Sequence, residues 1–401
     1  MELHINTVVW GEEFIKTFIN IAIASQLAEG NIPDLDKKCT PIYFIYTRKE
    51  DQPQITSSIL FQKLASKIPI VFRFFTCDSN LSIHQTLTNC HIKAIKEANQ
   101  NQAPILFLSP DLIVSRGAFS YFVDLLNRGK RLIASLGIRL SLESMEKELS
   151  KRHLINENQP LSLTANELID LAFRNLHTFS KNLFWRNEKA NHILPTIFWK
   201  LDDTTLLARG FHIHPIVIWP TDYHTLPCTT IDGPYVTKAC PNKKNWHLIT
   251  NTKKISLFEL SNHNKFHDSP LAKPSIELML QWASDKQNVS DIHRYYVKHK
   301  LYIGSGRRRR HWRKIERESD RIINAILIPR WKLSLRRFKS KLSHMISCKC
   351  FQLIHIFHRG AKLKGLFLPK RKLAIKIIIK RILPKMVYNQ IKKIYFVIKE
   401  Q

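Results

Sequence analysis

The sequence contains little glycine, and it lacks a long uninterrupted apolar run and a secretory signal. Only 11 of 401 residues are glycine. No glycine-rich phosphate loop follows the first predicted strand, where Trp10 and Gly11 precede two glutamates, so NAD-binding and ATP-loop folds are disfavoured. The apolar runs 14–28 and 373–383 are interrupted by polar or charged residues and fall short of the roughly 20 clean residues of a membrane span. We therefore expect no transmembrane helix and, because no leader is recognisable, a cytoplasmic location.

The seven cysteines are too scattered to form the disulfide framework of a small secreted domain. They indicate a reducing compartment. Cys348 and Cys350 have no second pair nearby that would complete a tetrahedral zinc site, so we assign no metal to them.

Acidic residues are scarce and unevenly distributed. The chain has 32 acidic residues against 63 lysines and arginines, for a formal net charge of +31. Residues 305–401 hold 28 basic and 4 acidic side chains, whereas residues 1–304 hold 35 and 28. Hydrophobic residues make up 44% of the chain, enough for a sizeable core. We predict a first half at 1–150, a region at 151–304 that completes the same unit, and a basic tail at 305–401.

Short apolar runs alternate with helical patterns over the first 150 residues. The predicted strands are 3–10, 42–47, 70–75, 105–108 and 131–136. The predicted helices are 14–29, 55–67, 83–98, 118–127 and 141–150. This alternation predicts an α/β fold with a doubly wound, Rossmann-like, mainly parallel sheet, and a ligand site beyond the carboxyl ends of the strands.

Ser109, Pro110 and Asp111 follow the fourth predicted strand. The Asp111 carboxylate therefore lies at the edge where ligands bind in such sheets. An equally weighted alternative is that Asp111 only caps a turn, because Pro-Asp is a common turn pair.

The first 140 residues resemble glycosyltransferases of the GT-A type. The segments that carry the resemblance are Val8–Gly11, Gly30–Pro33 and Phe107–Asp111. The resemblance implies a nucleotide-sugar donor, for which Trp10 and Gly11 are candidate binding residues. It also implies a divalent metal, Mn or Mg, that Asp111 holds against the diphosphate of the donor. The motif of that class has two acidic residues separated by one position, and Ser109 stands at the first. The only Asp-x-Asp triplet, Asp34-Leu35-Asp36, comes too early and is predicted to be a surface turn.

Transfer of a sugar needs positive charge on the leaving diphosphate and a base for the acceptor hydroxyl. Arg116 and Arg139 are candidates for the charge, and Asp203 and Asp232 for the base. The two aspartates come from a region that also contains aromatic residues on which sugars stack.

His214 is a further candidate for substrate binding. His212 and His214 are two residues apart and would share one face of a strand, a spacing compatible with metal ligation. No third ligand is identifiable, so we favour a packed or hydrogen-bonded pair.

The basic tail combines charge with apolar residues. Lys372, Lys376 and Lys380 are spaced to line one face of a helix that has aliphatic residues opposite, a pattern typical of helices on an anionic membrane surface. The arginine-rich run 307–314 also fits nucleic acid. The aliphatic content of 363–383 favours the membrane.

These features predict a peripheral membrane glycosyltransferase of the hexosyltransferase type at the inner face of the membrane. It would move a sugar from a nucleotide-sugar donor to a glycan or lipid-linked acceptor. The alternative is a noncatalytic protein with a degenerate transferase fold that binds nucleic acid or membrane through its tail.

Overall fold

The computed structural model describes residues 1–78, 80–156, 158–228, 230–265, 270–306 and 309–328. Their strands are β1 (Glu2–Val8), β2 (Thr40–Thr47), β3 (Ile70–Phe74), β4 (Ile105–Leu108), β5 (Leu112–Val114), β6 (Leu132–Ser135), β7 (Arg139–Ser141), β8 (Ala190–Asn191), β9 (Thr196–Asp202), β10 (Thr205–Gly210), β11 (His214–Ile218), β12 (Trp246–Leu248), β13 (Leu257–Ser261), β14 (Leu271–Ala272) and β15 (Leu301–Gly304).

The α-helices of the same residues range from short single turns to about five turns. They are α1 (Glu12–Thr17), α2 (Ala24–Gln26), α3 (Gln52–Thr56), α4 (Ile59–Ala65), α5 (Ile83–Gln100), α6 (Ala118–Asn127), α7 (Leu142–Lys151), α8 (Ala165–Arg174), α9 (Thr178–Lys181), α10 (Pro234–Ala239), α11 (Ile276–Ala283), α12 (Asp291–Tyr296) and α13 (Trp312–Ile326).

A seven-stranded sheet in the order β12-β6-β11-β4-β1-β2-β3 forms the centre of the fold. β1 pairs in parallel with β2 and β4, β2 with β3, and β6 with β12. β11 alone runs the other way, antiparallel to both β4 and β6. The predicted α/β class with a mainly parallel sheet is confirmed, and the antiparallel β11 is an addition that local sequence patterns did not predict.

The central strands are apolar because both faces of the sheet are covered. All four residues of β4 are buried, and so are all four of β6. α6 buries Phe119, Phe122 and Val123 at helical spacing. Continuous apolar strands between amphipathic helices are what a parallel sheet covered on both faces requires.

Two predicted helices are less regular than expected. The segment predicted as a helix over 14–29 starts as α1, continues as π-helix over Phe18–Ile23 and ends as α2. The helix predicted over 55–67 is divided, because the Ser58 side chain caps a new helix by accepting from the Phe61 amide. Both segments still bury most of their apolar residues, although Phe14 and Ile59 are exposed.

A three-stranded sheet in the order β5-β13-β7 extends the fold beside the carboxyl edge of the central sheet. β13 pairs antiparallel with β5, where Glu259 lies opposite Leu112. It pairs in parallel with β7, where Glu259 lies opposite Arg139. Residues separated by more than a hundred positions therefore meet on neighbouring strands.

The compact unit extends beyond the predicted boundary at residue 304. Residues 1–330 form one unit, and α13 buries Trp312, Ile322 and Ile323 in it. The division at 150 stays a prediction, and residues 329–401 of the predicted tail lie outside the described residues, together with the lysine stripe at 372–380. Within the described residues, no helix is both long enough and apolar enough to cross a membrane.

Candidate functional site

Charged side chains from four separate segments meet at the carboxyl edge of the central sheet. Asp111 follows β4, Arg139 begins β7 after the end of β6, and Glu259 lies on β13. His214 begins β11 and lies opposite Ser135, the last residue of β6, because β11 is antiparallel. We call these four residues and Asp232 the charged cluster.

Glu259 connects the members of the charged cluster. Its carboxylate lies 3.2 Å from the Arg139 guanidinium and 3.9 Å from Nε2 of His214. The Leu260 amide donates to the Asp111 carbonyl at 2.8 Å, which fixes β13 beside the turn after β4. The Glu259 side chain is only 14% exposed. Its charge is therefore balanced by the Arg139 guanidinium and is weakly screened by solvent.

The Asp111 carboxyl is half-buried and receives a hydrogen bond from the Ser109 hydroxyl. Burial and the negative charge of Glu259 raise its pKa to about 6, against the smaller opposing effects of Ser109 and Arg139. Ser109, at the first position of the expected acidic motif, thus acts as a hydrogen-bond donor to the second.

Asp232 lies at the other end of the cluster, in the segment before α10. Burial alone would raise its pKa, but His214, the Thr230 hydroxyl and His212 outweigh burial, so the pKa is lowered. Asp232 is therefore a carboxylate at neutral pH. A charged oxygen beside histidines can accept a proton from a bound hydroxyl group.

Three more histidines lie around Asp232. His212 and His293 have ring centroids 4.2 Å apart. Burial lowers the pKa of His212 to about 4, the pKa of His91 also to about 4, and the pKa of His293. These rings are neutral at physiological pH. The ring that packs against His212 is that of His293, whereas His214 lies 3.9 Å from Glu259, and the pairing of His212 with His214 stays a prediction.

A small cavity of about 70 Å³ lies beside the charged cluster. Asp111 and Arg139 line one side, and Glu13 and Phe14 of α1 line the other. The segment after β13 closes it, because Lys265 lies 4.4 Å over the Phe14 ring and 3.7 Å from the Glu13 carboxylate. Its size suits an ion or a small polar group rather than a nucleotide.

A larger cavity of about 660 Å³ opens at the carboxyl ends of β2 and β3. Its lining combines basic, aromatic and polar side chains: Arg48, Lys49, Glu50, Phe74, Phe75, Thr76, Cys77, Leu81, Thr86, Asn89, Cys90 and Lys93. Trp10 packs edge-on against Phe75 with ring centroids 5.4 Å apart. The Gly11 amide donates to Asp51, which is paired with Arg48 at 2.7 Å. The predicted residue Trp10 therefore packs against a residue that lines this cavity, and Gly11 is connected to the lining through Asp51 and Arg48.

Arg116 and Asp203 lie outside the charged cluster. Arg116 is half-exposed and 3.8 Å from Glu29, in a loop whose next residue, Gly117, packs on the turn at Gly30. The strand β5 separates Arg116 from Asp111 in the chain. Asp203 lies in the turn between β9 and β10, is 92% exposed and pairs with Lys200 at 2.6 Å. The structure thus brings together Asp111, Arg139, His214 and Asp232.

Glu259 is the member of the cluster that the sequence analysis missed. It is the single charged residue of β13, whose other residues are buried. A lone carboxylate within a short buried strand is uncommon unless it is paired. That pattern was the available signal.

The donor chemistry of the cluster is compatible with a divalent cation. Asp111, Glu259 and the Ser109 hydroxyl offer the oxygen ligands that Mg²⁺ and Mn²⁺ prefer. Among the described residues no group of three or more His, Cys, Asp or Glu is arranged to hold an ion. Because Mg²⁺ is commonly held by one or two carboxylates with substrate phosphates and water, the residues fit a cation that binds together with a diphosphate.

Neither the family models nor the curated proteins include a match to this chain. Several solved structures are similar to part of it, among them the following two. One is a protein from Bacillus anthracis assigned as a glucose-1-phosphate thymidylyltransferase and solved with sucrose. It is 12% identical to this chain, the match covers 36% of this chain and 57% of that chain, and the TM-score is 0.22. The other is mouse xyloside xylosyltransferase 1 in its apo form, with 10% identity, 38% and 59% covered, and a TM-score of 0.24. The chain spans a little over half the length of each, and likeness at this level has no bearing on the reaction.

Proposed function

We propose that the protein transfers a sugar from a nucleotide-sugar donor to an acceptor at a membrane surface. The observation that supports this most strongly is the charged cluster at the carboxyl edge of the sheet, with one cavity beside it and another along the same edge. Ligands of open α/β sheets bind at this edge.

The larger cavity would receive the nucleoside. Phe74 and Phe75 offer aromatic surface, and Asn89 and Thr86 offer hydrogen-bonding groups. The basic side chains Arg48, Lys49 and Lys93 would offset the charge of the phosphates. A cavity of about 660 Å³ is within the range of small-molecule sites.

The diphosphate would extend from there toward the charged cluster. Arg139 offers a guanidinium that is 27% exposed, so it can reach a phosphate without leaving Glu259. Asp111 and Glu259 would hold a divalent cation, which supplies positive charge to the leaving diphosphate.

Asp232 is the better placed of the two candidate bases. It is charged at neutral pH and lies beside His214 in the cluster. Asp203 is almost fully exposed and is paired with Lys200. A base must lie within hydrogen-bonding reach of the acceptor hydroxyl, so we assign this role to Asp232.

The acceptor would be a glycan or lipid-linked molecule at the cytoplasmic face of the membrane. The excess of basic over acidic residues in 305–401 supports this part of the proposal. Anionic lipid attracts such segments by about 1 kcal/mol for each lysine or arginine near the surface.

The test is release of nucleoside diphosphate from a panel of nucleotide sugars by the full chain, with and without Mn²⁺. Asp232→Asn should lower the rate about 100-fold or more, as expected for loss of a general base. Asp203→Asn, a substitution of the same chemistry, should leave the rate within about twofold of wild type, as for other exposed positions. Equal rates for the two variants would remove Asp232 from this role.

A further inference from the structure

The outer face of α13 carries four basic residues. Arg313, Lys314, Arg317 and Arg321 are all exposed. Their spacing of three and four residues places them along one side of the helix, over about 12 Å at 1.5 Å per residue. The opposite side holds the buried residues Trp312, Ser319, Ile322, Ile323 and Ile326. We call the four exposed residues the α13 basic stripe.

The acidic residues of α13 do not neutralise this stripe. Glu316 accepts from the Tyr302 hydroxyl at 2.9 Å. Glu318 pairs with Arg186 at 2.5 Å, and Asp320 pairs with Lys300 at 2.6 Å. All three acids of the helix are engaged by residues of other segments.

The stripe residues themselves form no ion pair with any acid in the part of the chain that the structure describes. Surfaces of soluble domains usually mix charges of both signs. Two further exposed arginines, Arg309 and Arg310, precede the helix. The positive charge is therefore concentrated on one face of a folded element.

We propose that the α13 basic stripe binds the phosphate headgroups of an anionic phospholipid bilayer. This inference rests on the proposed function in that it locates, on the folded unit, a surface that holds the enzyme beside its acceptor. Residues 331–401, which follow, contain 19 basic residues and one acidic residue among many aliphatic and aromatic ones. Such a composition suits a bilayer, with its phosphates and hydrocarbon, better than the purely polar backbone of nucleic acid.

The experiment is sedimentation of the full chain with vesicles of phosphatidylcholine and phosphatidylglycerol, and with vesicles of phosphatidylcholine alone. The stripe variant is Arg313→Gln, Arg317→Gln and Arg321→Gln together. The matched control is Lys67→Gln, Lys147→Gln and Lys238→Gln, which removes the same charge from exposed positions elsewhere in the folded unit. Wild type and control should bind the anionic vesicles, and the stripe variant should bind on the order of 100-fold more weakly.

Equal binding of the stripe variant and the control would overturn the proposal. So would a stripe variant that keeps its vesicle binding but loses binding to a short DNA duplex, because the partner of the stripe would then be nucleic acid. If the triple variant does not fold, the single variants Lys314→Gln and Arg321→Gln should each weaken vesicle binding about fivefold against Lys147→Gln. Failure of those variants to weaken binding would equally contradict the proposal.

Nucleotide-sugar binding by the same preparations separates this inference from the proposed function. The stripe variant should bind nucleotide sugars as wild type does. If wild type binds the vesicles through the stripe but binds no nucleotide sugar, the transferase proposal fails and the lipid-binding surface stands. If nucleotide sugars bind and the vesicle result is negative, only the stripe proposal fails.

Discussion

The Glu259 carboxylate lies 3.2 Å from the Arg139 guanidinium, on the strand next to the one that Arg139 begins. The same strand, β13, places Glu259 opposite Leu112, the residue after Asp111. The register of β13 against β5 and β7 therefore places Glu259 beside Asp111 and Arg139, and the Glu259 carboxylate also lies near His214.

Asp111→Asn should stabilise the protein at neutral pH while it impairs the site. The pKa of Asp111 is raised to about 6 in the folded state, mainly by burial and Glu259. The folded state thus holds this proton more tightly than the unfolded chain, and the ionised carboxylate costs stability as the pH rises through about 6. Allowing for solvent screening, we expect a gain of about 1–2 kcal/mol in the free energy of unfolding at pH 7.5.

Denaturant unfolding at pH 7.5 and pH 3 measures this effect. At pH 3, below both the folded and the unfolded pKa of Asp111, the gain should disappear. A variant that is no more stable than wild type at pH 7.5 would contradict the raised pKa of Asp111.

Gly137→Ala should damage the site more than the fold. A Cβ at this position would lie 2.7 Å from Oε1 of Glu259 and 2.9 Å from Cδ2 of His214, so both side chains would have to move. We expect nucleotide-sugar turnover to fall about tenfold or more, since small displacements of positioned groups cost that much.

Gly129→Ala is the matched control. That site has open space around the added Cβ but a φ of +80°, so the cost is backbone strain of about 1 kcal/mol away from the cluster. Turnover at a temperature where both variants are folded should fall only for Gly137→Ala. The opposite order would show that the packing of Glu259 against Gly137 is unimportant.

Asp320→Ala should destabilise the protein more than a substitution at an ordinary surface position of a helix. Arg209 is among the most buried side chains, and Asp320 is its ion-pair partner across the packing of α13 on the core. Removing the acid leaves a buried guanidinium held mainly by the Lys298 carbonyl at 2.6 Å, and we expect a loss of about 3 kcal/mol.

Glu318→Ala, on the same helix, tests whether that loss is specific. Glu318 pairs with the largely exposed Arg186, so its loss should cost less than about 1 kcal/mol. Chemical denaturation of both variants gives the comparison. Similar small losses would mean that the buried Arg209 guanidinium does not depend on Asp320.

The protein should lose stability as the pH falls from about 6.5 to 4. Burial lowers the pKa of His91 and of His212 to about 4, so between these pH values the unfolded chain binds protons that the folded protein does not. His91→Gln should reduce this decline by about 1–3 kcal/mol at pH 4. Unfolding free energies measured at intervals across this range give the slope, and an unchanged slope would contradict the neutral buried state of His91.

Local patterns were sufficient to predict much of the amino-terminal half. The strand at 105–108 and the helix at 118–127 have the predicted bounds, because each is a continuous apolar or amphipathic run between turn residues. The Asp111 turn was found for the same reason. It follows a strand whose burial is evident from its composition.

Long-range pairing was not predictable in this way. β11 inserts between β4 and β6, about a hundred residues from β4 in the chain, and no local pattern specifies that insertion. Glu259 was missed because its partners come from the register of β13. The boundary at residue 304 followed the charge distribution, although the apolar spacing of Trp312, Ile322 and Ile326 indicates a helix packed on a core.

The central claim is that the charged cluster is the site of a nucleotide sugar. Calorimetric titration of the full chain with a panel of nucleoside diphosphates and nucleotide sugars, with and without Mn²⁺, tests it most directly. We predict that at least one nucleotide sugar binds. Arg139→Gln and Asp111→Ala should each weaken its binding about tenfold or more, whereas Asp203→Asn should not. The reason is that buried charge-assisted contacts contribute more to binding than exposed ones. No heat of binding with any member of the panel, or equal affinities for the three variants, would contradict the account.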